Sequence, residues 1–206
     1  MHEEWLARWR EGRIGFHEGR PNALLEHHHA HLAGARRVLV PLCGKSEDLA
    51  FLAAHGHEVI GAELAEQAVA AFFAEHALTP TITPIGPLVA YRASVITIFV
   101  GDIFAVTPDI CGPIDGFYDR GAVVALPDDV RPRYAAHLHR LLSPAARGIV
   151  IAVEYDQALM TGPPFSVPDR ELRTLYPVAA VDLLAEQPLG GTGRCSQAGV
   201  PAIERC

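Results

Sequence analysis

Residues 37–46 read RVLVPLCGKS, and this stretch decides the fold. After Arg37, residues 38–41 form a short apolar run, which is typical of a strand covered on both faces of a sheet. The following residues form a loop around Gly44 that leads into a predicted helix over 46–55, where Ser46 can cap the first turn. A strand, a short loop and a helix in this order are typical of an α/β domain.

Strands and helices alternate along the rest of the chain as well. Further strands are predicted at 58–63, 95–100, 116–119, 148–154 and 178–184. Further helices are predicted at 2–10, 22–33, 65–77, 129–142 and 168–176. Residues 78–94 are rich in Thr, Pro and Gly and allow either short extra strands or a loop. No repeat or linker interrupts the pattern, which predicts one α/β domain over 1–206 with a mostly parallel sheet and helices on both faces.

Composition disfavours several classes of protein. The chain has 206 residues, half of them hydrophobic, and no apolar run approaches the roughly 20 residues that span a bilayer. The formal net charge of −7 argues against a nucleic acid as the main partner, because phosphate binding needs clustered Lys and Arg. The first residues, MHEEW, are acidic where a signal peptide is basic. The four cysteines are widely spaced and form no CxxC pair, so we expect reduced thiols in a cytoplasmic protein.

The most conspicuous group of metal-ligand residue types is the histidine-rich stretch at 27–31. Only His27 and His31 share a helix face, at a spacing of four residues. No nearby carboxylate supplies a further ligand. We therefore expect a solvated helix surface here and no metal site.

Ligands of open α/β sheets bind beyond the carboxyl ends of the strands. This rule selects the loop at 41–46, Glu63, Gly101–Asp102 and Asp119–Arg120. Glu63 follows Gly44 by 19 residues, the position at which a carboxylate accepts hydrogen bonds from ribose hydroxyl groups. Gly101–Asp102 follows a strand where backbone and a carboxylate can line an adenine. The pattern therefore predicts a site for an adenosine-containing ligand.

The loop after the first strand narrows the choice of ligand only in part. Gly44-Lys45-Ser46 matches the end of a Walker A loop, but Leu39 stands where that loop needs its first glycine, which excludes a P-loop ATPase. Gly44 is also the only glycine of the loop, so the GxGxxG fingerprint of dinucleotide enzymes is absent. These residues alone leave S-adenosylmethionine (SAM) and NAD(P) open as ligands.

The chain resembles bacterial thiopurine S-methyltransferases over about residues 5–200. The resemblance rests on elements that occur in the family's order: RWREGRIGFH at 8–17, VLVPLCGKSEDL at 38–49, GHEVIGAEL at 56–64, GDIF at 101–104, YDRGA at 118–122 and GPPF at 162–165. It implies a monomer with a Rossmann-like SAM-dependent methyltransferase fold, a helical lid at 1–33 and a core at 37–206. The implied reaction transfers a methyl group from SAM to a small thiol, or to reduced selenium or tellurium, and leaves S-adenosylhomocysteine.

The resemblance also implies roles for particular residues. The implied cofactor contacts are Trp9, Leu42, Glu63, Asp102, Ile103 and Arg120, with Asp102 and Ile103 at the adenine. Arg120 is the implied catalytic residue, because a guanidinium there can pair with the SAM carboxylate or stabilise an anionic thiolate. Phe16 and Arg194 are implied on the acceptor side, and Phe16 joins Trp9 in the lid. No general base is implied, since an acidic thiol needs little base catalysis.

Some segments depart from the family pattern. Family members usually end in a strand with a Tyr-x-Leu sequence, whereas this chain stops at Ile203–Cys206, which predicts an open sheet edge there or an incomplete chain. Residues 78–94 and 185–200 follow the family loosely, and these segments decide which acceptor is methylated. Two other functions stay open: an NAD(P)-dependent oxidoreductase, and a non-catalytic protein that binds SAM without turnover.

Overall fold

The computed structural model describes residues 2–14, 17–177, 180–190 and 193–206. The strands are β1 (Arg37–Pro41), β2 (Glu58–Glu63), β3 (Thr81–Ile85), β4 (Leu88–Ala93), β5 (Ile96–Val100), β6 (Ile114–Arg120), β7 (Leu142–Glu154), β8 (Glu186–Pro188) and β9 (Ile203–Arg205). The helices are α1 (His2–Arg10), α2 (Ala23–His28), α3 (Glu47–Ala54), α4 (Glu66–Glu75), α5 (Pro108–Cys111), α6 (Arg131–Leu141), α7 (Asp169–Leu175) and α8 (Arg194–Gln197). None of these helices combines the length and the apolar character needed to cross a bilayer.

These strands form one sheet in the order β3-β4-β5-β2-β1-β6-β7-β9-β8. The central strands β5, β2, β1, β6 and β7 are parallel to one another, because helices return the chain to the same edge of the sheet between them. Antiparallel hairpins, β3 with β4 and β8 with β9, extend the sheet on its two sides. The predicted α/β domain with a mostly parallel sheet is confirmed.

The chain enters the sheet at its middle and changes direction once. From β1 it moves to β2 and later to β5 on one side, and it then crosses back to β6 and β7 on the other side. The helices that follow β1 and β6, α3 and α6, pack on opposite faces of the sheet, and in open α/β sheets ligands bind in the crevice beyond the carboxyl ends of such a pair of strands. This switch point is where the fold can hold a ligand.

β1 shows why the deciding stretch is apolar at consecutive positions. Val38 and Val40 pack into the layer that contains Leu49 of α3. Leu39 packs into the opposite layer with Tyr134 of α6. All of these side chains are at most 3% exposed. A strand covered on both faces needs consecutive apolar residues, whereas a half-exposed strand would alternate.

Most predicted boundaries agree with the structure to within a few residues. The undecided segment 78–94 contains β3 and β4, joined by a turn at Gly86–Pro87. The predicted helix at 22–33 is divided into α2 and a 3-10 turn at His29–Leu32. β7 begins directly after α6, so it is longer than the strand predicted at 148–154.

The C-terminal region corrects two predictions. The strand predicted at 178–184 is wrong for residues 180–184, which form no strand, while residues 178 and 179 lie outside the described residues. The strand in this region is β8, which begins at Glu186. Glu186 lies opposite Arg205 of β9. The open edge expected at the C-terminal strand is also wrong, since β9 pairs with β7 on one side and with β8 on the other.

Candidate active site

The loop after β1 turns sharply through two residues with positive φ. Leu42 has a φ of +48° and Gly44 a φ of +54°. This left-handed conformation is ordinary for glycine but strained for leucine, and such strain is concentrated at functional sites. The end of β2 holds the loop: the Cys43 N–H donates to the carbonyl of Ala62 at 3.1 Å, and the Gly44 N–H donates to Glu63 Oε2 at 2.8 Å.

Glu63 ends β2 as a buried carboxylate that is 8% exposed. Its Oε1 accepts a hydrogen bond from the backbone N–H of Ala65 at 2.8 Å, while Oε2 accepts the one from Gly44. Burial raises the pKa of the Glu63 carboxyl, and the backbone N–H donors oppose that shift. Because each carboxylate oxygen has two acceptor positions, Glu63 retains capacity to accept hydrogen bonds from the hydroxyl groups of a ligand.

The turn after β5 places Asp102 and Ile103 beside the end of β2. The Gly101 N–H donates to the main-chain carbonyl of Glu63 at 2.8 Å, which joins the two strand ends. Asp102 caps a 3-10 turn at Ile103–Ala105, and its Oδ1 accepts from the Phe104 N–H at 3.0 Å. Ile103 is buried. Backbone groups and an apolar side chain thus stand together beside Glu63, a combination that suits the edge and the face of an adenine.

Two charged residues end β6 and point to opposite faces of the strand. The Arg120 guanidinium forms an ion pair with Glu18 of the N-terminal segment. Asp119 is fully buried and accepts hydrogen bonds from the Val123 N–H at 3.0 Å and from the Tyr134 hydroxyl at 2.7 Å. Burial raises the pKa of Asp119 to about 6, although both hydrogen bonds favour its charged form.

The N-terminal segment crosses the same edge of the sheet. Trp9 of α1 lies against the loop after β1, so closely that a Cβ atom at Gly44 would be 3.3 Å from Trp9 Cζ2. Farther along, the Asn22 N–H donates to Asp48 Oδ1 at 2.7 Å, and the Tyr118 hydroxyl donates to Asp48 Oδ2 at 3.0 Å. The segment is therefore fixed to the first turn of α3. Phe16, predicted in the lid, lies outside the described residues.

Arg194, at the start of α8, contacts the GPPF segment. Its Nη1 donates to the carbonyl of Gly162 at 2.7 Å and to that of Pro163 at 2.9 Å. The Tyr155 hydroxyl donates a hydrogen bond to the next carbonyl, that of Pro164, at 2.6 Å. In this structure Arg194 therefore supports the GPPF segment from the C-terminal region.

The structure gathers most of the predicted site residues at one edge of the sheet. The carboxyl ends of β1, β2, β5 and β6, with the segment that crosses them, carry Trp9, Leu42, Glu63, Asp102, Ile103 and Arg120. Sequence reasoning missed Glu18, Asn22 and Asp48. Asp48 lies in the first turn of a predicted helix, where a carboxylate is favourable. The same position is equally typical of a solvent-exposed helix start, so it did not indicate a buried contact. No local pattern marks Glu18.

Two other kinds of site, a cavity and a metal site, are conceivable among the described residues. A cavity of about 270 Å³ lies at the opposite ends of the strands, beside the ion pair of Arg37 and Glu58, the first residues of β1 and β2. Within the described ranges, no group of three or more His, Cys, Asp or Glu side chains is placed to hold a metal ion. The crevice at the carboxyl ends therefore remains the candidate active site.

Several solved structures with a similar fold are methyltransferases. The 1,6-didemethyltoxoflavin-N1-methyltransferase of Burkholderia thailandensis, with bound 1,6-didemethyltoxoflavin and S-adenosylhomocysteine, matches with a TM-score of 0.66 and 19% identity over 99% of this chain and 84% of that chain. A TehB-like SAM-dependent methyltransferase from Corynebacterium glutamicum matches with a TM-score of 0.55 and 18% identity, over 99% and 95% of the two chains. At these identities the likeness concerns the fold, and it confirms the predicted Rossmann-like methyltransferase architecture.

Sequence relatives are much more similar. A thiopurine S-methyltransferase of Xanthobacter autotrophicus is 49% identical over 198 residues, which cover 93% of this chain and 92% of the relative. One of Pseudomonas fluorescens is 46% identical over 207 residues, which cover 98% and 94% of the two chains. The sequence model of the thiopurine S-methyltransferase family matches residues 1–204. The predicted resemblance is thereby confirmed: the chain belongs to the thiopurine S-methyltransferase family.

Proposed function

We propose that this chain transfers a methyl group from SAM to a small thiol, or to a reduced selenium or tellurium species. The observation that carries the proposal is the convergence of three features at the switch point of the sheet. These are the buried carboxylate of Glu63, the strained loop at Leu42–Gly44 and the guanidinium of Arg120. Membership of the thiopurine S-methyltransferase family supports the same reaction.

The described residues fit SAM chemically. The Glu63 carboxylate is buried and has acceptor capacity for two ribose hydroxyl groups. Arg120 offers a charged fork that matches the carboxylate of the amino-acid part. Asp102 and Ile103 offer backbone and apolar contacts to adenine, and Leu42 offers the same kinds of contact to the methionine part. Each chemically distinct part of SAM thus has a complementary group in the crevice.

The N-terminal segment 1–33 acts in this proposal as a lid over the core at 37–206, within a single domain. Trp9 already lies against the loop after β1, where an aromatic ring excludes water and can meet a sulfonium by a cation–π contact. The family resemblance implies an acceptor-side role for Phe16 as well. Exclusion of water matters here because hydration weakens the attraction between the positive cofactor and an anionic acceptor.

SAM supplies a methyl group that is activated by attachment to a sulfonium sulfur. The chain's own residues hold the two reactants in line and exclude water from the site. Such a transfer requires mainly this positioning and desolvation. Arg120 stands at the junction of cofactor and acceptor, where its charge holds the cofactor carboxylate or stabilises an anionic thiolate. No residue is assigned as a general base, because an acidic thiol ionises without one.

The acceptor side belongs to the GPPF segment and to Arg194, which supports that segment by two hydrogen bonds. The proposal also places the enzyme in the cytoplasm, as a monomer that acts on small molecules and not on nucleic acids or membranes. The net charge of −7 supports this choice of partner, because it disfavours binding to phosphate backbones.

Calorimetric titration with S-adenosylhomocysteine, with NADH titrated in parallel, tests the choice of cofactor. A methylation screen with SAM then tests the acceptor, with simple thiols, 6-mercaptopurine, and selenide or tellurite-derived telluride as candidates. We expect micromolar binding of S-adenosylhomocysteine, no binding of NADH, and methylation of at least one acceptor. Binding without turnover on any of these acceptors would instead support a non-catalytic SAM-binding protein, and NADH binding would support an oxidoreductase.

A further inference from the structure

Glu18 reaches Arg120 from the N-terminal segment and forms an ion pair with its guanidinium. The Arg120 side chain is 13% exposed and the Glu18 side chain 37%, so water screens the pair only in part. The side-chain amide of Asn22 donates to the same carboxylate at 3.5 Å. The Arg120 guanidinium, at the carboxyl end of β6, is therefore already paired with a carboxylate of the protein itself.

The proposed function, on which this inference rests, gives that guanidinium another anionic partner, the carboxylate of the cofactor. A guanidinium can hold a carboxylate by two parallel hydrogen bonds, and a second carboxylate that approaches the same partly buried guanidinium is repelled by the first. We propose that Glu18 competes with the cofactor carboxylate for Arg120 and is displaced when the cofactor binds. Cofactor binding and the Glu18–Arg120 contact are then coupled, and each opposes the other with the same free energy.

Contacts on either side of Glu18 keep the N-terminal segment in place when the ion pair is broken. On one side, the buried Asn22 donates its N–H to the buried carboxylate of Asp48 at 2.7 Å. On the other side, Trp9 lies against Gly44. Displacement of the Glu18 side chain therefore leaves the segment attached to the core at both anchors.

Competition for Arg120 makes affinity depend on whether a ligand carries a carboxylate. S-adenosylhomocysteine carries one and must displace Glu18, whereas 5′-methylthioadenosine has the adenosine and the thioether but no amino-acid part. Glu18→Gln keeps the size of the side chain and a hydrogen-bond acceptor but removes the charge. The variant should therefore improve binding of the first ligand and leave binding of the second unchanged.

Isothermal titration calorimetry of the full chain with both ligands tests the proposal. We expect Glu18→Gln to lower the Kd of S-adenosylhomocysteine by roughly threefold to tenfold, the usual range for removing one like charge near a bound ion, and to leave the Kd of 5′-methylthioadenosine unchanged. Glu11→Gln is the matched control, because it removes the same charge from the same segment at an exposed pair with Arg13. It should change neither Kd. In an Arg120→Gln background, Glu18→Gln should have no effect.

The opposite sign would overturn the proposal: weaker binding of S-adenosylhomocysteine by Glu18→Gln would mean that Glu18 orients Arg120 for the cofactor. Equal tightening of both ligands would overturn it too, since a looser lid explains that result. If Glu18→Gln leaves the Kd of S-adenosylhomocysteine unchanged while the wild-type protein methylates thiols, only this inference fails and the proposed function stands. If the wild-type protein binds neither ligand, the proposed function fails as well.

Discussion

At the scale of single residues, two strand ends carry buried carboxylates with different surroundings. Glu63 accepts two backbone N–H groups and lies beside the loop after β1. Asp119 accepts one backbone N–H and the Tyr134 hydroxyl, and it faces the interior of the protein. Burial raises the pKa of both. Their proposed roles differ accordingly: in the proposed function Glu63 binds the cofactor, whereas Asp119 supports the end of β6.

Replacing Glu63 by Gln should weaken binding of S-adenosylhomocysteine by roughly 10- to 100-fold, the equivalent of about 1–3 kcal/mol for a hydrogen bond to a charged acceptor. The amide also turns a donor toward the N–H of Gly44 or Ala65, so the melting temperature should fall. Calorimetry and thermal denaturation measure both effects. Glu58→Gln, at the opposite end of the same strand, is the control and should leave the affinity unchanged. Unchanged affinity in a folded Glu63→Gln protein would remove Glu63 from the site.

Asp119 should make the stability of the protein depend on pH. Its pKa is raised from 3.8 to about 6 in the folded chain, so the folded state holds the proton more tightly than the unfolded state. The stability that this group contributes is therefore complete below its unfolded pKa and is lost as the pH rises through about 6, a difference of about 3 kcal/mol.

Asp119→Asn removes the titrating group but keeps its shape. The free energy of unfolding of the variant, relative to wild type, should therefore increase by up to about 3 kcal/mol between about pH 4 and about pH 7. Urea denaturation of both proteins at the two pH values measures this difference. A difference that does not change with pH would show that Asp119 titrates normally in the folded protein.

At the scale of elements, the N-terminal segment is attached to the core at several separate points. Trp9 lies on the loop after β1, Glu18 pairs with Arg120, and Asn22 donates to Asp48. Each contact is small, but together they place an otherwise short helix over the site, since isolated helices of this length are marginal in water. The N-terminal segment therefore depends on the core for its structure.

If α1 is a lid over the cofactor, the fluorescence of Trp9 should respond to ligand. The chain contains two tryptophans, Trp5 and Trp9, both on α1. Trp5→Phe leaves Trp9 as the single tryptophan, and S-adenosylhomocysteine should then change its emission and slow proteolysis of the segment. Titration of the Trp9→Phe protein, which retains Trp5, is the control and should give a smaller change. No response of emission or of proteolysis in the Trp5→Phe protein would contradict the lid.

A substitution of Arg194 tests whether the GPPF segment, which Arg194 supports, forms the acceptor side of the site. Arg194→Ala leaves the carbonyls of Gly162 and Pro163 without these two donors, so the GPPF segment should loosen. We expect the KM for the acceptor to rise several-fold, about the loss of one net hydrogen bond, with the Kd of S-adenosylhomocysteine unchanged. Arg173→Ala is the matched control, because this exposed arginine also donates to a backbone carbonyl, that of Val181 at 2.7 Å. An unchanged acceptor KM in Arg194→Ala would contradict the role.

At the scale of the whole molecule, both outer strands of the sheet carry a proline. β3 contains Pro84 and β8 ends at Pro188. Proline lacks the N–H that a neighbouring strand would need, so it discourages pairing between sheets of different molecules. Ile82 of β3 is 54% exposed and makes such protection necessary on that edge. The arrangement favours the predicted monomer.

Analytical ultracentrifugation should therefore find one species with the mass of a single chain. Pro84→Thr restores a backbone donor and a strand-forming residue on the β3 edge, and it should promote concentration-dependent self-association. Pro201→Thr, at an exposed position outside the strands, is the control and should stay monomeric. A Pro84→Thr protein that remains monomeric at the same concentrations would show that the proline does not protect the edge.

The sequence by itself determined the parallel core and the position of Glu63. Consecutive apolar residues in β1 and β2, each followed by a short loop, can be satisfied only by strands covered on both faces, and the ends of such strands meet at one edge. The roles of Trp9 and Arg120 came from the family motifs, since nothing local distinguishes them from a core tryptophan or a surface arginine.

Only the tertiary structure decided which polar groups meet. Glu18 and Arg120 are 102 residues apart, and Asn22 and Asp48 are 26 residues apart. It also decided the pairing of β9 between β7 and β8, whereas residues 180–184, the described part of the strand predicted at 178–184, form no strand. Apolar periodicity is repeated along the chain and is legible locally, whereas a single contact between distant polar side chains, or the register of a three-residue strand, depends on where the whole fold brings its parts together.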